Sequence, residues 1–198
     1  LSLPKILAAS REESDDTGTL EAATLATSLR QNEEPGVILA VDDLPENRDL
    51  VCRQLRKTGH TVISAESGEE ALEVLDTAAV DVVLLDLVMP GIGGAEVLRR
   101  LKDDERLRAT SVIMISGQQD MDQIISCIEA GADDYLLKPF NPVLLQARIS
   151  AGIERKRWHD REERYREQLE RREHFIRATF GRYLSDEIVE EILEKPEG

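Results

Sequence analysis

Acidic, hydroxyl and amine side chains recur in this chain at the ends of short apolar runs. Asp42 and Asp43 follow Val37–Val41, Asp86 closes Val82–Asp86, Ser116 follows Ser111–Ile115, and Lys138 follows Asp134–Leu137. Carboxylates crowded together repel one another and hold protons unless a cation sits among them. An all-oxygen donor set with room for water suits Mg2+, whereas zinc prefers His or Cys. An ammonium (Lys138) and a hydroxyl (Ser116) beside a metal-bound carboxylate make a cradle for a phosphoryl group. Small Gly117 lets a backbone N–H approach it. A carboxylate in such a cradle can be the nucleophile, giving an acyl phosphate. Taken singly, an Asp at a strand end is a cap or turn residue, and a Lys-Pro pair means nothing. In this order, on successive strands, they are hard to explain as capping.

The elements that must position them form a regular alternation from Gly36 to about Gly152. The runs Val37–Val41, Thr61–Ser64, Val82–Asp86, Ser111–Ile115 and Asp134–Leu137 read as strands, the third buried on both faces. Between them lie helical patterns. Pro45 to Lys57 has Pro in the first turn and Leu50, Val51 and Leu55 as its apolar face, with Gly59 as the stop. Gly68 to Ala78, a stretch through Glu96 to Leu101, and a segment capped by Asp120 or Asp122 and running to Ala130 follow. A last helix starts near Asn141. Strands separated by helices imply right-handed crossovers and a parallel sheet covered on both faces, a doubly wound α/β domain of five strands. Its strand ends converge on one crevice, where ligands bind in such sheets.

Composition narrows the function. The formal net charge of −15 argues against a nucleic-acid surface and against anionic membrane. No apolar run approaches the roughly 20 residues of a membrane span, and the start of the chain lacks the pattern of a secretory signal. Cys52 and Cys127 fall in helical patterns and read as reduced core thiols, so a cytoplasmic location is expected. Residues 1–35 carry many Ser, Thr, Asp and Glu and no aromatic residue; a short helix over Leu20–Leu29 has little to hold it, and a mobile linker is expected.

Val41-Asp42-Asp43 with Asn47-Arg48, Asp86 followed by Met89-Pro90-Gly91, Ile113-Met114-Ile115-Ser116, and the run from Ala130 through Lys138-Pro139-Phe140 resemble the receiver domain of two-component response regulators. The resemblance covers a little over half of the chain, residues 36–152. It implies a flavodoxin-like strand order 2-1-3-4-5, with Asp86 accepting phosphate from a histidine kinase or phosphotransfer protein. It also implies Mg2+ held by Asp42, Asp43, Asp86 and the backbone carbonyl of Val88. Lys138, Ser116 and the Gly117 amide would bind the phosphoryl group, and Tyr135 would be the switch that turns inward as Ser116 moves. Three positions depart from the usual pattern. Gly91-Ile92-Gly93-Gly94 puts glycine where Asp is common, which is expected to loosen the loop. Gly117 replaces alanine, and Val88 offers no polar group to orient an attacking water.

Residues 153–180 continue as a helix without Pro or Gly, with opposite charges four apart at Asp160/Arg164, Glu162/Arg166 and Glu167/Arg171. From Asn141 to Phe180 such a helix is about 60 Å long. Trp158, Tyr165, Leu169, Ile176 and Tyr183 fit an alternating four-and-three spacing, with Glu162 and Arg172 in the same seam, so a parallel two-stranded coiled coil and a homodimer are expected. Gly181 interrupts, and Ser185 caps a segment carrying Ile188, Val189, Ile192 and Leu193. The run from Phe180 to Leu193 resembles the segment that precedes the catalytic domain of class III adenylate/guanylate cyclases. Residues 181–198 are expected to begin an output domain, and this chain itself is not expected to be a turnover enzyme. Two rival readings remain. A Mg2+-dependent aspartyl-phosphate hydrolase would need a second Asp two residues after Asp86, where Val88 stands. A constitutive dimerisation module would leave the acidic pocket vestigial, against which intact Asp42, Asp43, Ser116 and Lys138 speak.

Overall fold

Alternation of apolar strands with amphipathic helices produces an open parallel sheet in the computed structural model, which describes residues 35–117 and 121–180. The elements are β1 (Val37–Val41), α1 (Pro45–Lys57), β2 (Thr61–Ala65), α2 (Gly68–Thr77), β3 (Val82–Asp86), α3 (Gly94–Asp103), β4 (Ser111–Ser116), α4 (Met121–Glu129), β5 (Asp134–Leu137) and α5 (Pro142–Phe180). The sheet order is β2-β1-β3-β4-β5, all pairs parallel. It is the flavodoxin-like, doubly wound architecture. The expected helix at Leu20–Leu29, the Asp120 cap, Tyr183 and the segment beyond Gly181 lie outside the described residues.

Each strand alternates its side chains between two apolar layers, as the period of a strand requires. Leu39, Val41, Val83, Leu85, Val112 and Met114 meet α2, α3 and α4, whereas Ile38, Ala40, Val82, Leu84, Ile113 and Ile115 meet α1 and α5. The central strand β3 is buried along its whole length. Both cysteines are buried, and burial pushes their thiols up, away from reactivity.

Two expectations need correction. Leu50 is exposed, and α1 buries Val51, Cys52 and Leu55 instead. At about 100° per residue, position 50 lies off the stripe that 51, 52 and 55 share, so periodicity alone placed one leucine on the wrong face. On α5, Asp160 pairs with Lys156, and Arg164 donates to the Asp160 carbonyl, so the Asp160/Arg164 ion pair does not form. Glu162/Arg166 and Glu167/Arg171 do pair.

α5 is one continuous helix of 39 residues. Its first turns bury Leu145, Ile149, Gly152 and Ile153 against the sheet. Past Ile153, Trp158, Tyr165, Leu169 and Phe175 are exposed, Trp158 at 63 % and Tyr165 at 64 %, and Ile176 is half-buried. None of the described helices is long and apolar enough to cross a membrane.

Candidate functional site

The parallel registers bring the C-terminal ends of β1, β3, β4 and β5 to one edge of the sheet. Val41 pairs with Leu85, Asp86 with Ile115, and Ser116 with Leu137. Asp42, Asp86 and Lys138 therefore meet although far apart in sequence. Lys138 Nζ donates to Asp42 Oδ2 and to Asp86 Oδ2, both at 2.7 Å. Asp42 and Asp86 are buried, Asp43 is half-buried, and one oxygen from each lies within 4.8 Å of the others. The other Asp42 oxygen, Oδ1, accepts from Leu44 N–H at 3.0 Å and from Asn47 Nδ2 at 3.3 Å, which fixes the carboxylate's orientation. Arg48 donates to the Asp42 carbonyl at 2.7 Å. The Lys138 backbone N–H donates to the Ser116 carbonyl at 2.8 Å, which ties the amine-bearing loop to the end of β4. The Lys138–Pro139 peptide is cis.

Electrostatics in this pocket pull in opposite directions. Burial pushes the Asp86 carboxyl above its ordinary value of 3.8, and the Asp42 charge pushes the same way. The Lys138 ammonium and a backbone hydrogen bond from Val88 oppose them without cancelling them. For Lys138, burial acts downward, but its hydrogen bonds to Asp42 and Asp86 outweigh it and hold the ammonium charged. An acid whose folded pKa is raised adds stability below its unfolded value and loses it as pH rises through the folded one. Without metal, the Asp86 charge therefore opposes folding at neutral pH. Asp86→Asn in EDTA is expected to melt above wild type at neutral pH, with the gap closing as pH falls below the ordinary value of 3.8. Equal melting temperatures at neutral pH would show that Lys138 neutralises the site fully.

The remaining expected residues are distributed around this centre. Ser116 is buried at the end of β4, and Gly117 is exposed, with open space where a Cβ would stand. Tyr135 is half-buried, packed on the layer formed with α2, α3 and α4. The Val88 side chain is 60 % exposed. Glu69 was not anticipated. Its Oε1 accepts from Ile92 N–H at 3.1 Å, so a carboxylate on α2 pins the loop after Asp86. The hydrogen bond from its own backbone, with the one from Ile92, holds the Glu69 carboxyl below the usual range. The Gly91-Ile92-Gly93-Gly94 loop is thus anchored from outside, and Gly91 takes a positive φ of 72° that glycine alone adopts easily. Asn47 and Arg48 did carry a sequence signal, their place beside Asp42-Asp43, but no role.

The sequence pattern of response regulator receiver domains matches residues 38–150, over half of the chain. The chain belongs to the response regulator receiver family. Relatives of this receiver include the phosphate regulon transcriptional regulatory protein PhoB of Pseudomonas aeruginosa, 38 % identical over 118 residues, covering 60 % of this chain and 52 % of that protein. A cyclic di-GMP phosphodiesterase of Thermotoga maritima is 30 % identical over 159 residues, 79 % of this chain and 42 % of its own length. The chain thus spans about half the length of the curated relatives it matches. Among solved structures, the beryllofluoride-activated DrrB receiver domain superposes with a TM-score of 0.55 at 34 % identity, covering 61 % of this chain and 99 % of that one.

Receiver domains generally bind Mg2+ at an acidic pocket, and the donors present here fit that ion. Asp42, Asp43 and Asp86 offer hard oxygen ligands in close reach, with neither His nor Cys among them. A second group, His159, Asp160 and Glu163, lies on α5, where Asp160 already pairs with Lys156.

Proposed function

We propose that Asp86 is the phosphoacceptor of a two-component signalling system, with Asp42, Asp43, Asp86 and the Val88 carbonyl holding Mg2+. One observation carries the reading: a single ammonium, Lys138, bridges two buried carboxylates at 2.7 Å each at the carboxyl edge of a parallel sheet. That arrangement is poised to receive three more oxygens of negative charge. The Asp86 oxygen attacks phosphorus, the bond from phosphorus to the donor breaks, and its electron pair leaves with the donor. Mg2+ supplies charge neutralisation at the phosphoryl oxygens. Lys138 keeps its ammonium on the phosphoryl group, and Ser116 and the Gly117 amide complete the cradle. The donor is a histidine kinase or a phosphotransfer protein, and the location is cytoplasmic. Incubation with Mg2+ and acetyl phosphate should add one phosphoryl group to the intact mass of wild type and none to Asp86→Ala. Equal labelling of both would place the acceptor elsewhere.

Loss of the phosphoryl group requires an oriented water. Val88 stands two residues beyond Asp86 with an exposed, apolar side chain. A long-lived phosphoryl-Asp86 follows, and Val88→Asn should shorten it about tenfold or more, a scale set by one positioned polar group. Wild type losing its phosphoryl group as fast as Val88→Asn would refute the role of Val88.

The same reading extends along the chain. Residues 1–35 are a linker, 36–152 the receiver, 153–180 a signalling helix, and 181–198 the entry to an output domain. Phosphorylation biases Ser116, Tyr135 and the start of α5 toward a second arrangement, which a parallel dimer through Trp158, Tyr165, Leu169 and Ile176 relays. The output is a nucleotide cyclase, so turnover belongs to that domain and this chain only gains and loses phosphate at Asp86. Support comes from the cyclase-like segment around Gly181 and from the Thermotoga relative, whose alignment is longer than the receiver match and whose name is that of a cyclic di-GMP phosphodiesterase. PhoB joins its receiver to transcriptional control instead. Fusing residues 1–198 to a cyclase catalytic domain tests the choice, since beryllofluoride should change its rate in wild type and not in Asp86→Ala.

A further inference from the structure

The loop from Leu87 to Gly93 joins the acceptor to α3 and carries the Val88 carbonyl. It has little stiffness of its own, because Gly91 and Gly93 lose more backbone freedom on ordering than other residues. Gly93 is also the N-cap of α3, and no side chain accepts a cap hydrogen bond there. Its φ is −72°, and a Cβ on it would stand 3.6 Å from the Leu87 carbonyl oxygen, an ordinary contact. Neither backbone nor space therefore demands glycine at this position, and the start of α3 does not stiffen the loop.

Two sets of contacts hold it instead. At the inner end, Leu87 N–H donates to the Ile115 carbonyl at 2.9 Å, Gly94 N–H donates to the Leu87 carbonyl at 3.1 Å, and Met89 is buried in the apolar layer. The outer end lies on the first turn of α2. Glu69 Oε1 accepts from Ile92 N–H at 3.1 Å, and a Cβ on Gly68 would stand 2.2 Å from the Ile92 carbonyl oxygen. α2 thus meets both polar groups of Ile92, one through a carboxylate and the other through a bare backbone. Between Ile92 and Val88 stand Gly91, Pro90 and Met89. The φ of Pro90 is locked by its ring and Met89 is buried, so Gly91 is the soft joint. Glu69 lies against that joint too, since a Cβ on Gly91 would stand 2.7 Å from its Oε1.

We propose that Glu69 is a positioning residue for Mg2+ binding: by bracing Gly91 and Ile92 it fixes the loop that presents the Val88 carbonyl to the ion. The inference rests on the reading of Asp86 as a phosphoacceptor with Mg2+ beside it. Glu69 acts through the loop backbone, and what the loop needs from it is an acceptor for Ile92 N–H. An amide oxygen at the same place serves that purpose. The carboxylate also carries a charge, whose loss would weaken cation binding in any neutral variant. Glu69→Gln and Glu69→Ala lose that charge alike, and only Glu69→Ala loses the acceptor, so the difference between them isolates the brace.

The test is the Mg2+ dissociation constant of the full chain, measured by isothermal titration for wild type and both variants. Exchange of the Ile92 amide hydrogen is followed in parallel in EDTA. Glu69 is exposed, so neither variant disturbs the core. Glu69→Ala should bind Mg2+ about fivefold more weakly than Glu69→Gln, the scale of one lost hydrogen bond, and its Ile92 amide should exchange faster. Glu69→Gln should stay within about twofold of wild type in both measurements. Equal weakening in the two variants would assign the effect to charge and overturn the proposal. Faster exchange at Ile92 in Glu69→Ala with unchanged Mg2+ affinity would make the brace purely local and overturn it as well. If wild type bound Mg2+ and both variants matched it, this inference alone would fall. A wild type that bound no Mg2+ would overturn the phosphoacceptor reading and this inference with it.

Discussion

Beryllofluoride in the presence of Mg2+ is expected to bind the wild-type chain and to show no saturable binding to Asp86→Ala. Beryllofluoride completes a tetrahedron on a carboxylate oxygen, so the variant lacks the atom to which the mimic attaches. Lys138→Met separates the nucleophile from its cradle. It keeps Asp86 but removes the ammonium that bridges Asp42 and Asp86 at 2.7 Å. Removing one preorganised donor from a water-poor site weakens stabilisation of a developing anion by on the order of a hundredfold. The same order is expected for the affinity of Lys138→Met, measured by isothermal titration at fixed Mg2+. An affinity of Lys138→Met within about threefold of wild type would mean that the ammonium does not hold the phosphoryl oxygens. No saturable binding to wild type would mean that the pocket is vestigial. The constitutive dimerisation reading would then be preferred.

How far such a site can be read before any fold is known depends on the range of the interactions. β1, β3 and β4 were legible because buried parallel strands leave continuous apolar runs, at whose ends Asp42, Asp86 and Ser116 stand. The edge strands β2 and β5 are only partly buried and were read from shorter apolar runs between turn signals. Leu50 was misplaced because two adjacent leucine and valine positions fit the helical spacing almost equally, and only the sheet decides which is covered. Glu69 carried no local signal. Its partner Ile92 lies across two elements, and a glutamate in the first turn of a helix is ordinary on its own terms. The Asp133–Arg155 ion pair was hidden for the same reason. The charges of α5 could be counted, but which of them are neutralised is settled by side chains from β4 and the turn before β5. What was read is periodicity; what was missed is contact between distant segments.

Glycines near the site divide into those the backbone requires and those it tolerates, and this leads to a prediction of large effect. A Cβ on Gly94 would stand 2.1 Å from the Asp86 carbonyl oxygen and 3.0 Å from Leu87 Cα, and both neighbours are backbone. No rotamer relieves that clash. Either α3 moves outward, uncovering Val97, Leu98 and Leu101, which are fully buried, or the peptide after the acceptor moves and takes the Asp86 carboxylate from Lys138. Gly94→Ala is therefore expected to cost about 3 kcal/mol or more, at the upper end for overpacking, with a fall in Tm on the order of 10 °C. Any folded fraction should bind beryllofluoride poorly. Gly117 is the internal control, since a Cβ there meets nothing within 4 Å. Gly117→Ala should melt within about 2 °C of wild type and keep its beryllofluoride affinity. If the two variants behaved alike, the close approach of α3 to the Asp86 backbone would not be what holds the acceptor in place, and the pinning of that loop would rest on Glu69 instead.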